Sequence, residues 1–250
     1  MSAFARMAKP PPVEQFVGVM RYNRSPLEEF YNSAMEAADR RNQAMRLMIY
    51  TEIAGAPANI TGIEWVDAPN NVVNYPDTEQ LRLEAYVEDK RADLLAALVL
   101  LTADNALQRL GRALVDRPRL RQGFGPILKS VPLTTLLRAT TNCVRHVDEW
   151  DENPNLHVGY EGSSATDRAT TQALETIAVL KEALGVGRHE RIHQAPSFTV
   201  LALIDGKFGT DPPDYRRFER AILSTAREII SEGNPSLLPP FDMQFERDRV

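Results

Sequence analysis

Apolar residues recur along the chain at three- and four-residue intervals, and no useful stretch alternates with period two. The first clear block follows Ser25-Pro26-Leu27-Glu28, where Ser25 can cap free amides, Pro26 suits a first helical turn and Glu28 completes a capping box. A helix is predicted from there to about Ile53, stopped by Gly55. Residues 55–76 are rich in Asn, Pro and Gly and read as loop, with one short strand at IEWV, 63–66. Asp77-Thr78-Glu79-Gln80 repeats the capping logic and opens a long helical region to Val115, as one helix or as two broken near Asp104, with Pro118 ending it. GFGP at 123–126 is a turn, because it lacks the spacing and context of a phosphate loop. Pro132 opens a third major helix through Trp150, and Pro154 terminates it. Further helices are predicted from Ser164 to Gly185, over SFTVLALI to Gly206, and from Asp211-Pro212-Pro213-Asp214 to Gly233.

These elements predict an all-α fold, a bundle of about five to seven helices forming one domain over residues 25–233. A Pro-rich irregular arm is expected at 1–24, and a tail at 234–250 too proline-broken to be helical. Composition agrees with a packed soluble chain, since 43% hydrophobic and 25% charged residues argue against wholesale disorder. The strongest apolar run, LLAALVLL at 94–101, is fenced by Asp93 and Asp104 and falls short of the ~20 residues of a membrane span. It reads as a buried core helix, and no membrane partner is expected. One cysteine, Cys143, forbids an internal disulfide, and no apolar leader precedes the first prolines, so the expected location is cytoplasmic.

Charge changes this picture. The chain carries a formal −5, yet between Arg109 and Arg145 eight cations face one acid, Asp116. Such asymmetry marks either a solvated surface or an anionic partner.

Two constellations carry candidate chemistry. His189-Glu190-Arg191-Ile192-His193 spells H-E-x-x-H, in which two histidines one helical turn apart bind zinc and the glutamate activates its water. Gly185, Gly187 and Pro196 leave little room for a rigid helix there, Arg191 sets a cation inside the motif, and a third ligand would have to come from Asp205, Asp211, Asp214 or Glu219. A polar loop is the expected state. The second constellation lies on the helix after Pro132: at ~100° per residue, Arg138, Asn142, Arg145 and Glu149 share one stripe with His146 beside it. The opposite side carries Leu133, Leu136, Leu137, Val144 and Val147, flanked by Cys143 and Trp150. An imidazole titrates near neutrality and can move a proton to or from a ribose hydroxyl. A guanidinium binds phosphate and steadies charge growing at phosphorus. In this scheme Asn142 fixes the His146 tautomer, Glu149 positions Arg145, and no metal or cofactor is needed.

An all-α domain with Arg and His on one late helix, beside an Asn and a basic stretch, resembles the HEPN superfamily over residues 78–150. That resemblance implies a metal-independent endoribonuclease of toxin or phage-defence type, working as a homodimer whose Arg-His helices meet, with RNA drawn to the stretch 109–145. Seven residues separate Arg138 from His146 here, where the family has four to six, so Arg138 and Arg145 both stand as the phosphate ligand. Two rival expectations are a non-catalytic helical interaction or regulatory subunit whose tail docks a protein partner, and a zinc hydrolase built on His189, Glu190 and His193. Met35, Met45 and Met48 are expected to pack in the core, as are Trp65 and Trp150, and His157 has no evident partner.

Overall fold

The computed structural model describes residues 11–54, 78–151, 168–187, 196–206 and 214–246. It is an all-α bundle with one two-stranded ribbon. In chain order the helices are α1 (Pro12–Tyr22), α2 (Arg24–Ala54), α3 (Thr78–Leu114), α4 (Arg117–Gln122), α5 (Leu133–Asp151), α6 (Arg168–Leu184), α7 (Ser197–Asp205), α8 (Tyr215–Gly233) and α9 (Leu238–Glu246). The strand at 63–66, His157 and the whole motif from His189 to His193 lie outside the described residues.

The core is organised around α3, which runs unbroken through Asp104 and packs against α1, α2, α5, α7 and α8. By length and composition α3 could cross a bilayer, but 61% of its most apolar window is buried in the bundle. Alanines on α2 (Ala34, Ala37, Ala38) and α3 (Ala92, Ala96) are buried, as expected where two backbones approach closely. Arg40 meets Glu88 at 3.2 Å and Arg41 meets Asp89 at 2.7 Å across the same pair of helices. Beyond Ala44 the described side chains of α2 are half-buried or exposed. Only Met35 of the three methionines is therefore a core residue; Met48 is half-buried and Met45 is 41% exposed.

The arm and tail differ from the sequence expectation. Pro12 occupies the first helical position, where a missing N–H costs nothing, and Val13, Phe16, Val17 and Met20 then fall on one buried face of α1. Pro239 and Pro240 likewise sit in the first turn of α9, which forms despite them. The two helices pack together: the Phe16 and Phe241 rings lie 6.2 Å apart, Arg21 sits over the Phe245 ring and its guanidinium donates to the Gln244 carbonyl. Nine α-helices among the described residues thus replace the five to seven expected. At the other end of the arm, α2 begins at Arg24, so Ser25 lies inside the helix rather than capping it.

Three of the predicted helix-end signals are observed. Gly206 adopts a left-handed conformation after α7, Gly185 does so after α6, and the Asp214 carboxylate accepts from the Arg216 amide at the head of α8. Pro118 is the exception, since it opens α4 behind the Asp116 cap instead of merely ending α3. GFGP is a turn with a structural task. Gly123 and Gly125 both have positive φ, the Phe124 amide donates to Thr134 Oγ1 at 2.8 Å, and the Gly125 amide donates to Glu228 at 2.8 Å. A ribbon pairing Ile127–Leu128 with Val131–Pro132 then delivers the chain into α5.

Candidate anion-binding groove

The amphipathic pattern of α5 positions its residues as its period requires. Leu133, Leu136, Leu137 and Cys143 are buried, while Arg138 and Asn142 are half-buried on the opposite side and Arg145 is exposed. Those three polar residues line a cleft of about 780 Å³ whose other walls are the end of α3 and the short helix α4. From α3 come Asn105, Gln108, Arg109 and Arg112, which share one face by their spacing of three and four; α4 adds Arg117 and Arg121, and α6 adds Gln172. Six arginines therefore open on one cleft within a single chain.

Among the described residues one acid, Asp104, lines that cleft, and it is tied up beneath the surface. It is 4% exposed, accepts from Thr141 Oγ1 at 2.9 Å and from Gln108 Nε2 at 3.3 Å. The Gln108 amide oxygen in turn accepts from Arg138 Nη2 at 2.6 Å. Burial pushes the Asp104 carboxyl above the ordinary aspartate range, against the pull of its hydrogen bonds to Thr141 and Gln108 and of the Arg138 charge. Burial likewise lowers Arg138, opposed by Asp104 and reinforced by Arg112. The physical content is a partly desolvated guanidinium held in place by a buried relay, so its orientation is set before any ligand arrives.

A second bay, about 680 Å³, adjoins the first and shares Arg121, Arg138, Asn142 and Gln172 with it. It lies between α5 and α6, with Thr135, Ala139, Thr171, Glu175, Thr176 and Val179 completing the wall.

Of the residues singled out in the sequence, Arg138, Asn142 and Arg145 are brought together. His146 is exposed and lines neither bay, because its 40° offset from Asn142 turns it past the cleft edge. The backbone of Glu149 is on α5, but its side chain lies outside the described residues. His189, Glu190 and His193 also lie outside them; among the acids considered as a third zinc ligand, Glu219 is paired with Arg24 at 3.1 Å and Asp214 caps α8. Among the described residues no group of three or more His, Cys, Asp or Glu side chains is placed to hold a metal.

Not all the basic stretch serves the groove. Arg119 stacks 4.2 Å over the Phe124 ring, donates to the Gly123 carbonyl at 3.1 Å and reaches Glu232 at 3.4 Å, a structural role. Gln108, Asn105, Gln172 and the buried Asp104 carry no sequence signal as site residues, although the helical spacing of 105, 108, 109 and 112 would have placed Arg109 and Arg112 on one face. Compared with known proteins, the chain matches no family model, no curated protein and no solved structure.

Proposed function

We propose that this protein binds RNA through its phosphate backbone, held in the arginine groove between α3, α4 and α5. The observation that carries the proposal is the convergence of six arginines on a cleft whose one lining acid among the described residues is buried and hydrogen-bonded. Such a surface concentrates anions by Coulomb attraction, and its planar guanidinium forks match phosphate oxygens. Half-buried Arg138 supplies the oriented contact. Arg109, Arg112, Arg117, Arg121 and Arg145 supply the field around it.

Cleavage is a separate step from binding. His146 follows Arg145 in the chain and is exposed, and it is not among the residues that line the groove. Binding without turnover is therefore the favoured activity.

The test uses labelled single-stranded RNA with the intact protein, followed by anisotropy between 50 and 300 mM salt, with cleavage scored on the same samples with and without chelator. Log affinity should fall with log salt with a slope of about −0.7 for each phosphate engaged, so three to five contacts give roughly −2 to −3.5. A double change, Arg112→Glu with Arg145→Glu, should abolish binding without unfolding the protein, since both side chains are exposed. RNA affinity that ignores salt and these substitutions would overturn the proposal. Cleavage that survives chelator and disappears in His146→Ala would instead make His146 the general acid/base.

A further inference from the structure

We propose that the second bay, between α5 and α6, is a nucleoside subsite, so that the groove takes an unstacked nucleotide with its phosphate on Arg138 and its sugar and base beside Glu175. This rests on the groove being a phosphate site. Arg138 and Asn142 belong to both cavities, so a phosphate held there stands at the threshold of the bay. Past that threshold the chemistry changes. Ala139, 4% exposed, and half-buried Val179 line the bay, and the buried Thr176 hydroxyl is turned away to the Gln172 carbonyl at 2.8 Å, which leaves an apolar floor. An apolar base face can rest on such a floor.

The rim is different again. Beside the shared Arg121 and Arg138, the bay is lined by Thr135, Thr171 and the Glu175 carboxylate, none of which lines the neighbouring cleft. A carboxylate repels a second phosphate, and its favourable partner is a neutral group rich in O–H or N–H donors. A nucleoside carries both kinds of donor, in the ribose hydroxyls and the base amines. About 680 Å³ is ample for one nucleoside, and ligand cavities commonly measure roughly 300 to 1,000 Å³. In a duplex the base is stacked and its pairing edge occupied, so the bay selects single strands or free nucleotides.

Calorimetric titration of the full chain with ATP, dATP and inorganic tripolyphosphate separates the two levels of the proposal. ATP should bind at least about tenfold more tightly than tripolyphosphate, the gain expected from one good hydrogen bond to a charged group plus base burial. Glu175→Ala removes an exposed side chain and should bring ATP down to the tripolyphosphate level, while tripolyphosphate itself binds as well as before or better. A merely weakened fold would lower both. Stronger binding of ATP than dATP assigns the donor to the ribose hydroxyl, and equal binding assigns it to the base. Equal affinities for ATP and tripolyphosphate in the unaltered protein would overturn the nucleoside subsite and leave the phosphate groove standing. Failure of all three to bind a protein folded by circular dichroism would overturn both.

Discussion

Replacing Arg138 by methionine isolates the half-buried guanidinium that Gln108 orients in the groove. Methionine keeps much of the aliphatic stem, so packing against α3 is largely retained and the change falls on charge and hydrogen bonding. Two losses follow inside the protein: the Gln108 oxygen gives up its 2.6 Å donor, and buried Asp104 gives up the positive charge nearest its relay. Hydrogen bonds to charged groups contribute roughly 1.5 to 3 kcal/mol, and Arg138 is only half-buried, so the lower end applies, about 1.5 to 2 kcal/mol. For a chain of this size that is a drop of about 3 to 8 °C in Tm. In RNA binding, one phosphate contact fewer should reduce the salt slope by about 0.7 and weaken affinity about tenfold. Arg227→Met is the control, since Arg227 bonds Asp242 at 2.6 Å on a different part of the surface. It should leave the slope unchanged. Arg138→Lys should keep the slope and recover only part of the stability, because an ammonium cannot reproduce the guanidinium fork. Equal slopes for the unaltered protein and Arg138→Met, or equal losses in the Arg227 control, would refute a phosphate on Arg138.

Three further outcomes are expected. Because burial raises the Asp104 carboxyl above its ordinary 3.8, the folded state holds that proton more tightly than the unfolded state; its unfavourable contribution is present at neutral pH and is relieved as pH falls through the raised value. The unaltered protein should accordingly gain stability relative to Asp104→Asn as urea melts are moved from pH 7 towards pH 4, and a constant difference would contradict the assignment. Gly125→Ala forces a side chain into a backbone with φ +89°, with its Cβ 2.3 Å from Thr225 Oγ1, and should cost about 2 to 4 kcal/mol in denaturant unfolding. Phe241→Ala should cost about 3 to 5 kcal/mol and should expose Phe16, visible as increased proteolysis within residues 12–22.

Helix ends governed by local chemistry were legible in the sequence. Gly185, Gly206 and Asp214 act through their own backbone or a neighbouring amide, so they need no knowledge of the fold. Prolines misled for a related reason: Pro12, Pro118, Pro239 and Pro240 break a helix from within but suit its first turn, and position in the helix, not residue type, decides between the two. In the groove, the 100° step along one helix brought out Arg138, Asn142 and Arg145, since those residues need only α5 to be neighbours. Arg109, Arg112, Arg117 and Arg121 join them through the packing of α3 and α4 on α5, which pattern alone does not fix; in the sequence they were visible only as excess charge. Asp104 was hidden most deeply. Its role follows from burial beneath Thr141 and Gln108, a property of the folded assembly.

The clasp between α1 and α9 bears on how the molecule is made. Arg21 and the Gln244 carbonyl it contacts are 223 positions apart, so although α1 can dock on α3 earlier, its contacts with α9 cannot form until the chain has been synthesised through residue 244. At roughly 5 to 20 residues per second, the Phe16 ring waits about 10 to 45 s for Phe241. During that interval the part of α1 that α9 covers stays open on the nascent chain, and its escape from aggregation is set by translation speed as well as by the stability of the finished fold.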